Sequence, residues 1–247
     1  MKLTKLFYLL TQFDDLMAYP FRPMYSEKIE AITSYTGKTV EIRKVLNSKF
    51  SLYAEANKTK RSKSVRLTEN LLNDISKILP NVFELPNIVV INFSMFGIDA
   101  IGGYAKSTNT MFINSKYNTR NKILKYINKN NGFFANKTIY APLLHELGHK
   151  YYYDVIEKYS LKRNISYNEA EQITKDKIAD YVHRRNFEGN FLKKYLSKYA
   201  QDGYRQGKYG EIIAESFSAM DSNTTAREII ELFGGILLWC YNLLKEN

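Results

Sequence analysis

The stretch His145-Glu146-Leu147-Gly148-His149 contains two of the three histidines in the chain. Residues four apart on an α-helix lie on one face, so the imidazoles of His145 and His149 can converge on a single metal ion. Glu146, the next residue on the helix, projects beside this face, where a water molecule bound to the metal would lie. Zinc lowers the pKa of such a water to about 7, and a carboxylate beside it can accept the proton. The pattern predicts zinc-dependent hydrolysis of protein or peptide substrates.

The sequence around this motif favours a helix over residues 136–155. Pro142 is tolerated in a first helical turn, and Asn136 or Thr138 is available as a cap. Gly148 costs a helix about 1 kcal/mol relative to alanine, so its place between the histidines suggests that another segment packs closely there. The alternative is an ordinary amphipathic helix with a solvated histidine pair, because so short a pattern also occurs by chance.

A catalytic zinc needs a third protein ligand. A further histidine just downstream is excluded, because His183 is the only other one. Glu169 follows His149 by 20 residues, the spacing of thermolysin-like peptidases, but its charged neighbours are typical of the solvated face of a helix.

The other candidates are Glu211 and Glu215, which lie four apart on a predicted helix that is otherwise apolar. Carboxylates are costly to bury in such surroundings unless they are paired or bind metal. One of the two can ligate zinc, and the other can accept the ring N–H of a ligating histidine. Spacing alone does not choose between them, and two exposed glutamates on an amphipathic helix are the alternative.

The segments Leu196–Ala200 and Glu211–Phe217 resemble the second half of the active site in zincin-like metallopeptidases, both of the phage-associated type and of the anthrax lethal factor catalytic-domain type. That pattern runs Ser-x-Tyr-Gly/Ala, a short loop, then Glu-x-x-Ala-Glu-x-Phe. The resemblance covers about residues 88–247. It implies that Glu211 is the third zinc ligand and that Glu215 orients a ligating histidine.

The same resemblance implies a tyrosine whose hydroxyl stabilises the oxyanion of the tetrahedral intermediate. The family's spacing selects Tyr204, seven residues before Glu211. The local motif selects Tyr199 instead and requires an insertion of five residues in the loop that follows. Both tyrosines are therefore candidates, and a packing role is the alternative for each.

Residues 88–93 predict a buried strand, and residues 102–114 predict a hairpin. Zincin folds carry an exposed edge strand ahead of the zinc helix, and an extended substrate can pair with such a strand through main-chain hydrogen bonds. We therefore expect Gly102, Gly103 and Tyr104 to bind substrate, since glycines let a second backbone approach closely. An ordinary hairpin with a glycine bulge is the alternative.

These elements predict an α+β fold. Residues 80–247 would form a zincin-like metallopeptidase domain with a small twisted sheet, an edge strand, a zinc helix and a second, glutamate-bearing helix. A mostly helical, basic region over residues 1–79, of unassigned role, would precede it. The expected boundary between the two regions is indicated by Pro80, Asn81 and Pro86.

The chain is basic, with 36 Lys and Arg against 25 Asp and Glu. The densest basic run, Lys58–Arg66, is typical of a solvated surface, and nucleic acid is the alternative partner. Cys240 is the only cysteine, which excludes an internal disulfide. The apolar run Leu232–Tyr241 is too short to span a membrane and predicts a terminal helix packed on the zinc domain.

No cleavage site of a conventional secretion signal follows the first residues, so we expect a cytoplasmic or virion-associated protein. The phage resemblance adds virion proteins to the expected partners. Three further functions stay open at this point: a catalytically silent zinc-binding structural or virion protein, a basic nucleic-acid-binding protein, and a toxin protease of the lethal factor type.

Overall fold

A computed structural model describes residues 30–33, 39–57, 62–79, 83–96, 99–185 and 189–243. Within these ranges the fold is α+β, as predicted, with a small mixed sheet and eight helices. The strands are β1 (Glu30–Thr33), β2 (Thr39–Lys44), β3 (Leu52–Glu55), β4 (Asn87–Ile91), β5 (Gly102–Ala105) and β6 (Thr110–Asn114). The helices are α1 (Lys63–Ile75), α2 (Arg120–Lys129), α3 (Ala141–Arg163), α4 (Tyr167–Arg185), α5 (Phe191–Tyr195), α6 (Lys198–Arg205), α7 (Tyr209–Ala219) and α8 (Thr224–Leu243). The chain divides into two compact units after Tyr126.

The first unit contains the sheet, whose six strands lie in the order β1-β2-β3-β4-β6-β5. Strand β4 is parallel to both β3 and β6, and the other pairs are antiparallel. Parallel neighbours need a long crossover, and α1 supplies it between β3 and β4. The apolar run of β4 is buried because it lies in the middle of the sheet, where Val89 pairs with Phe112. The buried strand predicted over residues 88–93 is thereby confirmed for residues 88–91.

The predicted hairpin is also confirmed, because β5 and β6 pair antiparallel and β5 lies at one edge of the sheet. Asn109 closes the turn with a left-handed backbone (φ 47°), and its side chain accepts a hydrogen bond from the Tyr104 hydroxyl at 3.0 Å. All four residues of β5 are buried, whereas we expected an exposed edge strand. Ala105, for example, is part of the core cluster of the sheet. Substrate binding by Gly102, Gly103 and Tyr104 stays a prediction.

The region before residue 80 contains more strand than we expected. Its described residues form β1, β2 and β3 as well as α1, so a mostly helical structure is wrong for them. Residue 80 does not separate two compact units either, because β3 pairs directly with β4 across the expected boundary. Sequence reasoning missed this because short strands gain their stability from neighbouring strands rather than from a local pattern. Residues 58–61 of the basic run lie outside the described residues.

The second unit is helical, and α3 carries the histidine motif. This helix begins at Ala141 rather than at residue 136, with Pro142 in its first turn, and it ends at Arg163. Asn136 and Thr138 do not cap it. Their side-chain oxygens instead accept the N–H groups of Thr138 and Tyr140 in the preceding turn. The last turn closes on Asn164, whose left-handed backbone (φ 52°) is common at helix ends.

Helix α7 packs directly against α3 at Gly148. A Cβ atom placed on Gly148 would lie 2.6 Å from the Cα of Ala214 and 3.0 Å from the Cβ of Phe217. A real Cβ atom does not come within 3.0 Å of a non-bonded backbone atom, so a side chain at position 148 would force the two helices apart. The close packing predicted from the glycine is therefore confirmed, and it brings α7 to the face of α3 that carries the histidines.

Helix α8 packs against α3 and confirms the predicted terminal helix. The ring of Phe233 stacks on Tyr152 with centroids 5.7 Å apart and contacts Tyr151 edge-on at 5.6 Å. The side chain of Cys240 is outside the part of the chain that the structure describes. Among the described helices, none has the length and apolar character needed to cross a bilayer.

We predict that Gly148→Ala lowers the free energy of unfolding by about 1–3 kcal/mol, because the new methyl group collides with the backbone of α7. Denaturant titration followed by far-UV circular dichroism measures this difference. Gly210→Ala is the matched control, since its Cβ would meet no atom closer than 3.5 Å. Equal stability of the two variants would contradict the close-packing interpretation.

Candidate metal centre

Three buried or half-buried side chains from α3 and α7 converge on one point. The Nε2 atoms of His145 and His149 lie 3.2 Å apart, and Oε2 of Glu211 lies 3.4 Å and 3.3 Å from them. Two ring nitrogens and a carboxylate oxygen therefore form a nearly equilateral triangle that can hold a metal ion. The side chain of His149 is 17% exposed and those of His145 and Glu211 are 7% and 5% exposed, so solvent reaches the group from the His149 side.

Oε2 of Glu211 is fully buried and forms no well-aligned hydrogen bond with the described residues. A carboxylate oxygen in that state costs several kcal/mol unless a cation compensates it. The first turn of α7 provides part of the compensation, since the positive end of a helix dipole favours an acidic residue there. The remaining need for a cation fits a metal ion at the centre of the triangle.

Glu215 fixes the orientation of His145. Its Oε1 atom lies 2.7 Å from Nδ1 of His145, and its Oε2 atom accepts the backbone N–H of Ala135 at 2.6 Å. In the neutral imidazole, an Nδ1 that donates to this carboxylate leaves Nε2 with its lone pair, which can bind a metal in the triangle. Glu215 therefore lies behind the ligand group, where it sets the tautomer of one histidine.

Charge inside this group shifts the pKa values of its members. Burial alone would lower the pKa of His145, but the neighbouring carboxylates of Glu211 and Glu215 raise it well above its usual value. Burial alone would raise the pKa of Glu211, but His149 and His145 beside it hold that pKa far below the usual range. Both shifts favour a positive charge next to these carboxylates, and a metal ion bound there would supply it.

Glu146 follows His145 on α3 and is buried, with 6% of its surface exposed. Burial raises the pKa of its carboxyl group, while His145 and His149 act in the opposite direction. A carboxylate whose pKa is raised accepts a proton more readily than an ordinary surface glutamate. Its place beside the triangle therefore suits a proton acceptor.

Tyr199 and Tyr204 lie on the same helix, α6, but only Tyr199 reaches the metal ligands. Its ring stacks on the imidazole of His145 with centroids 5.2 Å apart and planes 9° apart. Tyr204 is half-buried and contacts Tyr209 edge-on at 5.8 Å. Positions five apart on a helix point in different directions, which explains the separation.

The hydroxyl of Tyr199 keeps its proton. Burial raises the pKa of Tyr199 well above its usual value, and the charges of Glu211, Glu146 and Glu215 act in the same direction. A neutral phenol donates a hydrogen bond, which an ionised one cannot do.

Helix α6 is positioned by features that sequence reasoning did not assign. Ser197 caps the helix, because its Oγ accepts the N–H of Ala200 at 3.0 Å. Gly203 permits close contact with α7, since a Cβ there would lie 2.8 Å from the Cβ of Glu211. The serine of the Ser-x-Tyr-Ala motif was a usable signal for the cap. No local signal pointed to Gly203, because its partner lies on another helix.

Glu169 is exposed on α4 and is not part of the group that can hold a metal. His183, also on α4, is likewise exposed and outside it. Of the candidate ligands, the structure therefore brings together His145, His149 and Glu211, with Glu146, Glu215 and Tyr199 around them.

We compared the chain with protein-family models, with curated proteins and with solved structures. None of the three comparisons found a match.

We predict that Glu211→Ala abolishes stoichiometric metal binding, because it removes one of three ligands. Glu215→Ala should weaken binding about 10–100-fold, since it removes a partner of a ligand rather than a ligand. Elemental mass spectrometry of the purified chain, followed by chelator competition, measures both effects. Glu169→Ala is the control and should bind metal like the wild type. A greater loss in Glu215→Ala than in Glu211→Ala would contradict the assignment.

Proposed function

We propose that this protein is a zinc-dependent metalloendopeptidase of the zincin type. The observation that carries the proposal is the buried triangle formed by Nε2 of His145, Nε2 of His149 and Oε2 of Glu211. Two imidazoles and one carboxylate are the ligand set of many catalytic zinc sites, in which a fourth position stays open for water or substrate.

The distances within the triangle suit zinc. Ligand atoms bound to tetrahedral zinc at about 2.0–2.1 Å lie about 3.3–3.4 Å from one another. The three separations of 3.2, 3.3 and 3.4 Å agree with that value. Calcium and magnesium prefer six or more oxygen ligands, which makes a site with two imidazole nitrogens a poor match for them. When bound, zinc would lower the pKa of a water molecule to about 7 and polarise the substrate carbonyl.

The chain's own groups supply the proton transfers. Glu146 accepts a proton from the attacking water while the water oxygen bonds to the carbonyl carbon of the substrate. When the carbon–nitrogen bond breaks, the same carboxylic acid donates that proton to the leaving amine. Burial raises the pKa of this carboxyl group, and a more basic carboxylate takes up the proton of the water more readily. Tyr199 donates a hydrogen bond to the oxyanion of the tetrahedral intermediate, for which its neutral hydroxyl is suited.

A second candidate function is a zinc-binding structural or virion protein without catalytic activity. Such a protein would need the same metal ligands, but it would not need a buried glutamate beside them. The burial of Glu146 at 6% exposure therefore favours the peptidase, since a carboxylate is costly to bury.

We predict that Glu146→Gln retains one metal ion per chain and loses hydrolysis, because glutamine has the same shape but accepts no proton. The assay is the cleavage of a mixed fluorogenic peptide library, with metal content measured in parallel. Glu169→Gln is the matched control on an exposed helix and should cleave at the wild-type rate. Cleavage by Glu146→Gln at that rate would exclude the mechanism. A wild type that binds zinc and cleaves nothing would favour the structural protein.

We predict that Tyr199→Phe lowers kcat about 100–1,000-fold, the usual effect of removing one oxyanion donor. Metal affinity should stay unchanged, because the aromatic ring against His145 is retained. Tyr204→Phe, on the same helix, should have no effect on kcat. Steady-state kinetics on the best library peptide measures both variants, and the reverse ranking would assign the role to Tyr204.

A further inference from the structure

A four-residue segment between α2 and α3, Gly132–Ala135, forms three hydrogen bonds with the two helices that flank the metal centre. The backbone N–H of Lys198 donates to the carbonyl of Gly132 at 3.0 Å, and the N–H of Tyr199 donates to the carbonyl of Phe133 at 3.0 Å. The N–H of Ala135 donates to Oε2 of Glu215 at 2.6 Å. The segment thus fixes the start of α6 and one carboxylate of α7 at once.

The side chain of Phe133 extends this arrangement into a stack of three rings. Phe133 stacks on Tyr199 with centroids 4.7 Å apart and planes 17° apart, and Tyr199 stacks on His145 at 5.2 Å and 9°. Phe134 meets the first two rings edge-on, at 5.0 Å from Phe133 and 6.1 Å from Tyr199. Offset stacks and edge contacts are the favourable geometries of aromatic pairs.

The stack restricts the one motion of His145 that its hydrogen bond leaves open. Glu215 holds Nδ1 of the imidazole, but a single hydrogen bond still permits the ring to tilt about that contact. Tyr199 covers one face of the ring and opposes such a tilt. Phe133 stacks on Tyr199 in turn and, with 1% of its surface exposed, is itself enclosed by the core.

We propose that Phe133 is a positioning residue of the metal centre, which sets the plane of the His145 imidazole through the ring of Tyr199. The segment Gly132–Ala135 is then a single support for a metal ligand, for the tyrosine hydroxyl and for Glu215. The part that concerns Tyr199 as an oxyanion donor rests on the proposed peptidase function. The part that concerns metal binding rests only on the geometry of the three ligands.

The test compares Phe133→Leu with Phe233→Leu. Both phenylalanines are 1% exposed. Each stacks on a tyrosine, Phe133 on Tyr199 and Phe233 on Tyr152. The two substitutions remove similar buried surface, so a purely structural role would affect both variants alike. Only Phe133 is connected to a metal ligand through its stack.

The readouts are the zinc dissociation constant from chelator competition and the visible absorption spectrum of the cobalt-substituted protein, both measured well below the melting temperature. Phe133→Leu should raise the dissociation constant about 10–100-fold, the usual effect of removing a residue that orients a ligand. Its cobalt spectrum should also change, because that spectrum reports ligand geometry. Phe233→Leu should melt at a similarly lowered temperature with the dissociation constant and spectrum of the wild type.

A second pair of variants decides the question if Phe133→Leu does not fold. Gly132 and Gly189 have left-handed backbones, with φ of 76° and 73°, and a Cβ on either would meet no atom within 4 Å. Alanine is therefore strained to the same degree at both positions. Gly132→Ala should weaken zinc binding because it displaces the carbonyl that anchors Lys198, whereas Gly189→Ala should leave zinc binding unchanged.

The outcomes separate this inference from the proposed function. Equal zinc dissociation constants in Phe133→Leu and Phe233→Leu, together with equal constants in the two glycine variants, would overturn the inference and leave the peptidase intact. A wild type that binds zinc and cleaves no peptide would overturn the peptidase alone, since the zinc readouts still decide the role of Phe133. A wild type that binds no metal would overturn both.

Discussion

The close approach of α3 and α7 at Gly148 is the constraint on which the rest of the centre depends. Because a glycine faces Ala214, the two helix backbones come nearer than any side chain would permit. The i and i+4 positions of each helix then face one another, which places His145 beside Glu215 and His149 beside Glu211. The i,i+4 pairs of the two helices therefore form one ligand group only because the helices are in contact.

Burial holds the members of this ligand group in place, and it also makes their charges costly unless they are compensated. Glu146, Glu211 and Glu215 are all at least nine-tenths buried, and carboxylates in such surroundings require protons, hydrogen bonds or a cation. Glu215 is satisfied by His145 and by the N–H of Ala135. Glu211 is left with two histidine nitrogens at long distances. The hydrogen-bonding needs of Glu215 are therefore met, whereas the buried carboxylate of Glu211 still requires a cation at the triangle, which is the chemical basis for the proposed metal.

Sequence reasoning was most successful where the signal was local. Helical spacing predicted that His145 and His149 share a face, and the glycine between them predicted close packing. The hairpin over residues 102–114 was predicted from its two short strand segments, residues 102–105 and 109–114. Reasoning was least successful before residue 80, where β1, β2 and β3 depend on pairing with strands that lie far away in sequence. Helix α3 begins at Ala141 and not at the predicted residue 136. The side chains of Asn136 and Thr138 accept hydrogen bonds in the preceding turn and do not cap the helix.

The sequence by itself determined the motif, its helical face and the apolar helix with two candidate glutamates. Only the tertiary structure decided which residues join that motif. Glu169 has a suitable separation from His149 along the chain, yet it is exposed on α4, outside the ligand group. Tyr199 and Tyr204 share one helix, yet only Tyr199 stacks on His145. The physical reason is that a metal site is defined by distances of a few ångströms between side chains, whereas the chain encodes those distances through the packing of helices that are remote in sequence.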